Sequence, residues 1–253
     1  MTTTQRHDIV IVGGGAAGIG TASSLLKRRA GLDIAIVEPA EHHFYQPGWT
    51  MVGGGVFKAP VTRRPMASVM PKGVTWVRQA ATTFQPDRNQ VTLADGTRLT
   101  YRVLIVAPGI RLAWEKIAGL ESTLGQNGVT SNYHYDLAPY TWELVQRLKS
   151  GRAIFSQPPM PIKCAGAPQK AMYLSCDVWQ DAGVLGNIEV EFRNAGAVLF
   201  GVADYVPALM EYVEQYGIQL KLGSTLVAVD GPARTATFAT AEGEVQRTFD
   251  MLH

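Results

Sequence analysis

Residues 8–20 read DIVIVGGGAAGIG, a β-branched run broken by three glycines and followed by alanines. Asp8 to Val12 has the composition of a buried strand, and the Ala/Leu-rich segment continuing through Leu26 has that of a helix. Between them, Gly13, Gly15 and Gly18 have the spacing of a dinucleotide-binding turn. Gly13 permits the sharp turn, Gly15 lets backbone approach a pyrophosphate, and Gly18 lets the helix pack closely on the strand. The helix N-terminus then offers N–H groups and positive dipole to the phosphates. Glycine-rich turns also arise for structural reasons alone, so the elements that follow matter. Asp33 to Val37 reads as a second strand and leads into Glu38, 25 positions after Gly13. A carboxylate there hydrogen-bonds ribose hydroxyls and repels a 2′-phosphate. NAD and FAD both satisfy this much.

A return strand favours FAD. Asp95-Gly96 is a hairpin signal, and Thr97 to Tyr101 leads into the apolar run Val103 to Val106, which ends in Ala107-Pro108-Gly109. Residues 74–101 form a small β-rich insertion before it, with strands expected at Val74 to Arg78 and Gln90 to Leu93.

A second βαβ-like unit begins with a helix over Trp142 to Lys149 and a buried strand at Ala153 to Phe155. The turn after that strand, Gln157 to Cys164, is QPPMPIKC instead of a second glycine fingerprint. Prolines lack N–H donors and Met160 adds bulk, so this turn cannot cradle a pyrophosphate, which argues against nicotinamide as the electron donor. Pro168 suits the first turn of a helix expected over Gln169 to Trp179. Cys164 stands before that helix, beside Lys163 and about one turn from Lys170, a setting that favours the nucleophilic thiolate; a buried structural cysteine is the alternative reading. Cys176 reads as a packing residue. Along one helix the two cysteines would be about 18 Å apart, too far for a disulfide.

The chain has 253 residues, 46% of them hydrophobic, which suits one large or two modest folded domains. A formal charge of +2 with scattered basic residues gives no nucleic-acid footprint. The N-terminal residues lack the apolar segment of a secretory signal, and no apolar run is long enough to span a bilayer. Two cysteines make neither a disulfide framework nor a zinc site, so no metal is expected.

Taken together, the stretches IVIVGGGAAGI, IAIVEPAEHHFYQPGWTMVGGG, YRVLIVAPGIRLAWEKIAGL and PIKCAGAPQKAMYLS resemble the sulfide:quinone oxidoreductases of the mitochondrial type. The resemblance runs from about residue 8 to the closing FDMLH, and KCAGAPQK is its most specific part. It implies an α/β, tandem Rossmann-like (FAD/NAD(P)-binding) flavoprotein, with the C-terminal part of the fold missing. Residues 1–115 would form the FAD-binding domain and 116–253 an incomplete second domain carrying the active-site cysteine. By position, Gly13, Gly15, Ala16, Ala17 and Gly18 would contact the pyrophosphate of FAD, and Glu38 the adenosine ribose. Gln46 would also contact FAD, Ala81 would lie by the adenine through its backbone, and Cys164 would be the catalytic cysteine beside the flavin. The implied reaction oxidises hydrogen sulfide. Sulfide opens a sulfur bridge between two cysteines, leaving a persulfide on one, and Cys164 passes two electrons toward FAD. The sulfur then goes to sulfite, glutathione or another sulfide, and a membrane quinone takes the electrons. The partner cysteine and the quinone site would lie beyond His253. Peripheral membrane association follows for a full-length form, a cytoplasmic location otherwise. A related NADH:quinone reductase and a silent FAD-binding fragment are the rival readings.

Smaller features complete the reading. His42 and His43 are expected in a packed loop, and Gly53-Gly54-Gly55 as a mobile turn. Trp142, Trp179, Tyr205 and Tyr212 read as core or interface residues on helices. Strands are expected at Ile188 to Phe192 and Gly196 to Phe200, then a helix near Tyr205 to Tyr216. An antiparallel pair is expected at Gln219 to Val229 and Thr235 to Thr240, and Thr248 to Leu252 as a last strand.

Overall fold

The computed structural model describes residues 3–253. Two compact units are present: residues through Tyr45 with Pro60–Arg111, and Gln46–Ala59 with Leu112–His253.

In chain order the strands of the first unit are β1 (Thr4–Val12), β2 (Ile34–Val37), β3 (His42–Phe44), β4 (Arg63–Pro65), β5 (Val74–Val77), β6 (Ala81–Gln85), β7 (Gln90–Leu93) and β8 (Arg98–Val106). Six of them form one sheet in the order β5-β2-β1-β8-β7-β6, parallel from β5 to β8 and antiparallel beyond. Successive side chains of a strand point to opposite faces, so the apolar run of β1 divides between two clusters. Ile9 and Ile11 join Ile34, Ile36 and Ala22 of the helix Ala16–Arg28. Val10 and Val12 join Ala35, Val37, Val91, Leu93 and Leu99 on the other face. The crossover from β1 through the helix to parallel β2 is the βαβ unit that the glycine turn predicts. His42 and His43, expected in a loop, lie on β3 paired antiparallel with β4, where His42 Nε2 and Arg63 are 2.8 Å apart.

In the second unit, β9 (Gly151–Gln157), β10 (Ile188–Asn194) and β11 (Gln219–Leu222) run parallel. The chain then folds β12 (Thr225–Asp230), β13 (Thr235–Thr240) and β14 (Gly243–Thr248) into an antiparallel sheet, and returns as β15 (Met251–Leu252) parallel to β9. The resulting parallel order is β11-β10-β9-β15. Helices Ala138–Arg147, Ala167–Asp181 and Val206–Gln215 pack on it around Phe155, Met172, Trp179 and Phe192. Trp179 is fully buried and its indole N–H donates to Val145 O at 2.9 Å. Tyr205 and Tyr212, by contrast, remain exposed. The two parallel-stranded units make this a tandem Rossmann-like α/β fold.

Three further expectations need correction. Residues 196–200 form a bend and not a strand, because the side chain of Asn194 captures the backbone: its Oδ1 accepts from Gly196 N–H at 2.8 Å and its Nδ2 donates to Val198 O at 2.9 Å. The segment 219–229 is two strands, broken at Gly223 with φ +61°; β11 joins the parallel sheet and only β12 pairs with β13. The three glycines that close and follow the helix Pro47–Gly53 are close-packed. A Cβ on Gly53 would overlap the Asn132 amide, one on Gly54 would sit 2.8 Å from Leu174, and one on Gly55 would sit 2.6 Å from Trp142.

The second unit also buries a charge cluster. Glu191 on β10 is fully buried, with Oε2 at 2.6 Å from Arg193 Nε and Oε1 at 3.5 Å from both Arg152 Nε and Arg247 Nε. The Arg193 guanidinium lies 4.6 Å above the Phe238 ring and donates to Ser224 Oγ at 3.1 Å.

Candidate functional site

In the first unit the chain passes from β1 into its helix through only Gly13, Gly14 and Gly15. Gly13 adopts φ +109°, and a Cβ there would overlap the carbonyl of Ala107. A Cβ on Gly18 would overlap Gly13 O, so this glycine is needed for helix–turn contact. Gly15 differs: nothing lies within 4 Å of where its Cβ would be. No side chain caps the helix and its first turn holds no acidic residue, so no acid of the helix itself competes for the N–H groups around Ala16, Ala17 and Gly18. Glu38, directly after β2, reaches this turn: its Oε2 accepts from Gly14 N–H at 2.7 Å and its Oε1 from Ala40 N–H at 2.8 Å. Trp76 Nε1 donates to Glu38 O at 2.8 Å, fixing the strand end. Ala81 opens β6 and packs against the cluster of Val12 and Val37.

The second unit holds a cavity of about 180 Å³ whose lining includes Gln46, Trp49, Asn132, Lys163, Cys164 and Lys170. Gln46 precedes the helix Pro47–Gly53, and Cys164 precedes the helix Ala167–Asp181, whose first turn contains Pro168. The connection from Gln157 to Ala167 is far longer than the three-residue glycine turn of the first unit. Cys164 is exposed and has φ +63°, a left-handed backbone rare for a residue with a Cβ. Its carbonyl accepts from Ala167 N–H at 2.9 Å. Cys176 lies inside the helix, fully buried; burial, with Asp177 adding to it, pushes its thiol up to about 12. The two thiols thus occupy unlike environments, and only Cys164 faces solvent.

Two residues that line the cavity with Cys164 escaped the sequence reading, as did His253, which one of them bonds. Tyr133 also lines the cavity, and its hydroxyl donates to Lys163 O at 2.8 Å and Cys164 O at 3.3 Å. Burial, with the nearby Cys164 second, raises its phenol well above the usual tyrosine value. Asn132 is buried with neither amide atom hydrogen-bonded, and its backbone N–H donates to His253 Nε2 at 3.1 Å. His253 stacks 5.7 Å from Phe155, and burial pushes its imidazole down to about 4. No local signal marks these residues; tertiary packing brings Tyr133 and Asn132 to the cavity of the cysteine and His253 to Asn132.

A pH effect follows from His253. Its folded value lies below the ordinary 6.5, so the unfolded chain binds the proton first. The stability from the neutral ring is fully present above about pH 6.5 and is lost between there and about pH 4, a span worth roughly 3 kcal/mol. Urea midpoints measured through this range should fall more steeply for the wild type than for His253→Phe. Parallel curves would show that the ring titrates alike in both states.

A glycine turn at a parallel strand end and a second unit with an exposed cysteine before a helix define the class. Residues 7–155 match the pyridine nucleotide-disulphide oxidoreductase family, and the chain belongs to it. Within that class it is similar to the mitochondrial sulfide:quinone oxidoreductase of Dictyostelium discoideum, 41% identical over 249 residues, covering 97% of this chain and 55% of that protein. The mitochondrial sulfide:quinone oxidoreductase of Mus musculus is 37% identical over 256 residues, covering 100% of this chain and 57% of that protein. Among solved structures, the sulfide:quinone oxidoreductase from Aquifex aeolicus shares the fold with a TM-score of 0.83 at 20% identity, covering 97% of this chain and 57% of that one. The resemblance read from the sequence is therefore shown, and the chain spans a little over half the length of these relatives.

Proposed function

We propose that this chain is the FAD-binding and sulfide-reactive portion of a sulfide:quinone oxidoreductase. The observation that carries the reading is Cys164: an exposed thiol on left-handed backbone, lining a cavity with Lys163 and Lys170, on a β–α connection that lacks a phosphate-binding turn. The first unit fits FAD. The open face at Gly15 and the uncapped N–H groups at Ala16, Ala17 and Gly18 suit a pyrophosphate, held over a turn that Gly13 makes possible. Glu38 suits the ribose hydroxyls, Ala81 would meet the adenine, and Gln46 is a further candidate contact of the cofactor. FAD, when bound, supplies a two-electron acceptor that a quinone can reoxidise.

The chain's own contribution is sulfur chemistry. Sulfide that opens a bridge between two cysteines leaves a persulfide on one sulfur and frees the other as a thiolate that passes the two electrons on, and Cys164, the accessible thiol, would be that thiolate. Lys163 and Lys170 line the same cavity and favour an anionic sulfur species there. Cys176, buried and with its thiol pushed up, is a packing residue and not the second sulfur. A small acceptor such as sulfite, glutathione or sulfide would remove the sulfur atom. Delivery of electrons to a quinone calls for peripheral membrane contact; among the described residues no helix is long and apolar enough to cross a membrane.

Anaerobic titration of the FAD-reconstituted chain with sulfide and, separately, with NADH tests the reading. Sulfide should bleach the flavin or raise a long-wavelength band, and NADH should do neither. Bleaching by NADH alone would reassign the chain to NADH:quinone reductase chemistry, and failure to bind FAD would reduce it to a silent module. Gly15→Val gives an independent check on the cradle, since the side chain meets open space and φ is −76°. Its apo thermal midpoint should match the wild type while FAD affinity falls on the order of tenfold or more, about 1.4 kcal/mol at the least. Unchanged affinity would place the pyrophosphate elsewhere.

A further inference from the structure

We infer that Tyr133 is the positioning residue for Cys164, and the inference rests on the sulfide-reactive role proposed for that cysteine. Successive carbonyls of an extended chain point to opposite sides, so one donor reaches two of them only where the chain kinks. Here the Tyr133 hydroxyl reaches both Lys163 O, at 2.8 Å, and Cys164 O, at 3.3 Å, and the kink is the left-handed Cys164 itself at φ +63°. A residue with a Cβ does not hold that conformation unaided, and the surroundings must fix it. On the C-terminal side, Ala167 N–H does so by donating to Cys164 O at 2.9 Å. On the N-terminal side, the peptide joining Lys163 to Cys164 is fixed by Tyr133 through its carbonyl.

Tyr133 is in turn well anchored. Its backbone N–H donates to Ser131 Oγ at 3.1 Å, and the N–H of Asn132 donates to buried His253 at 3.1 Å. A short irregular segment, closed on itself by the Ser131 bond and tied to the interior of its unit through His253, thus sets the backbone that aims the thiol. Cys164 carries the chemistry, and Tyr133 sets where its sulfur stands by holding the backbone that bears it.

The test is Tyr133→Phe, which keeps the ring and removes one oxygen, compared with wild type in three measurements on the FAD-reconstituted chain. The first is a crystal structure, read for the Cys164 backbone. The second is the rate of flavin reduction by sulfide. The third is the rate of native-state alkylation by iodoacetamide, which reads Cys164 because Cys176 is fully buried. Expected are a Cys164 that leaves φ +63° or divides between conformers, and a sulfide-driven rate lower by roughly tenfold or more. Alkylation should stay within about threefold, because a freely diffusing reagent does not need an aimed thiol. A purely structural tyrosine would move the thermal midpoint without separating the two rates. A Cys164 unmoved at φ +63° with an unchanged sulfide rate overturns the inference and leaves the proposed function standing. If wild type does not respond to sulfide the proposed function falls, and the Cys164 backbone in Tyr133→Phe still decides whether Tyr133 holds it.

Discussion

Cys164→Ser is expected to leave FAD affinity unchanged and to slow sulfide-driven flavin reduction by at least about a thousandfold. Serine matches cysteine in shape, so the turn, the cavity and the Ala167 N–H bond to residue 164 should persist. What disappears is the sulfur. A hydroxyl without an adjacent base is a weak nucleophile at neutral pH, and it can neither form the sulfur bridge that sulfide opens nor act as the thiolate that passes the electrons on. Cys176 cannot take over, because it is fully buried within the helix Ala167–Asp181 and its thiol is pushed up to about 12. Stopped-flow flavin absorbance under anaerobic conditions would read the effect, with Cys176→Ala as the comparison that keeps the wild-type rate. A Cys164→Ser chain that is reduced as fast as wild type would make Cys164 a surface residue and remove the basis of the proposed function.

What the sequence made legible was whatever local spacing determines. Gly13, Gly15, Gly18 and Glu38 could be read because a tight turn, an adjacent helix and a neighbouring parallel strand place them within one βαβ unit. Cys164 stood out because prolines occupy the stretch where glycines would cradle a phosphate. The failures share a cause too. Residues 196–200 look like a strand until the side chain of Asn194, at the end of β10, is seen bonding the backbone at 196 and 198, and Gly223 breaks a segment read as one strand. Gly53 to Gly55 read as loose because their packing partners, Asn132, Leu174 and Trp142, lie far along the chain. Tyr133, Asn132 and His253 are likewise 30 or more residues from what they hold, so no window of sequence contains both halves of the contact. Strand β6 was missed because ATTFQ is mostly exposed and shows no apolar alternation.

Loss of the buried carboxylate in Glu191→Ala is expected to destabilise the second unit by about 4 kcal/mol. The magnitude comes from burial and not from the number of ion pairs. Glu143 and Arg147 also form a pair, at 2.7 Å, but their side chains are 45% and 74% exposed, so Arg147→Ala should cost no more than about 0.5 kcal/mol. Glu191 is fully buried and Arg193 is 3% exposed. Two residues apart on β10, they point to the same face, where Arg193 lies over Phe238 of β13 and bonds Ser224. Removing the carboxylate leaves that guanidinium without its counter-charge and takes the Glu191 contact from Arg247, while Arg152 keeps Glu189 at 2.7 Å. Replacing both partners removes the uncompensated charge, so Glu191→Leu combined with Arg193→Met should recover much of the loss. Urea denaturation of the three variants would check the order: the double variant should lie well above Glu191→Ala and Arg147→Ala close to wild type. If Glu191→Ala instead costs less than about 1 kcal/mol, water reaches Arg193 in its absence, and the cluster behaves as a surface network despite its burial.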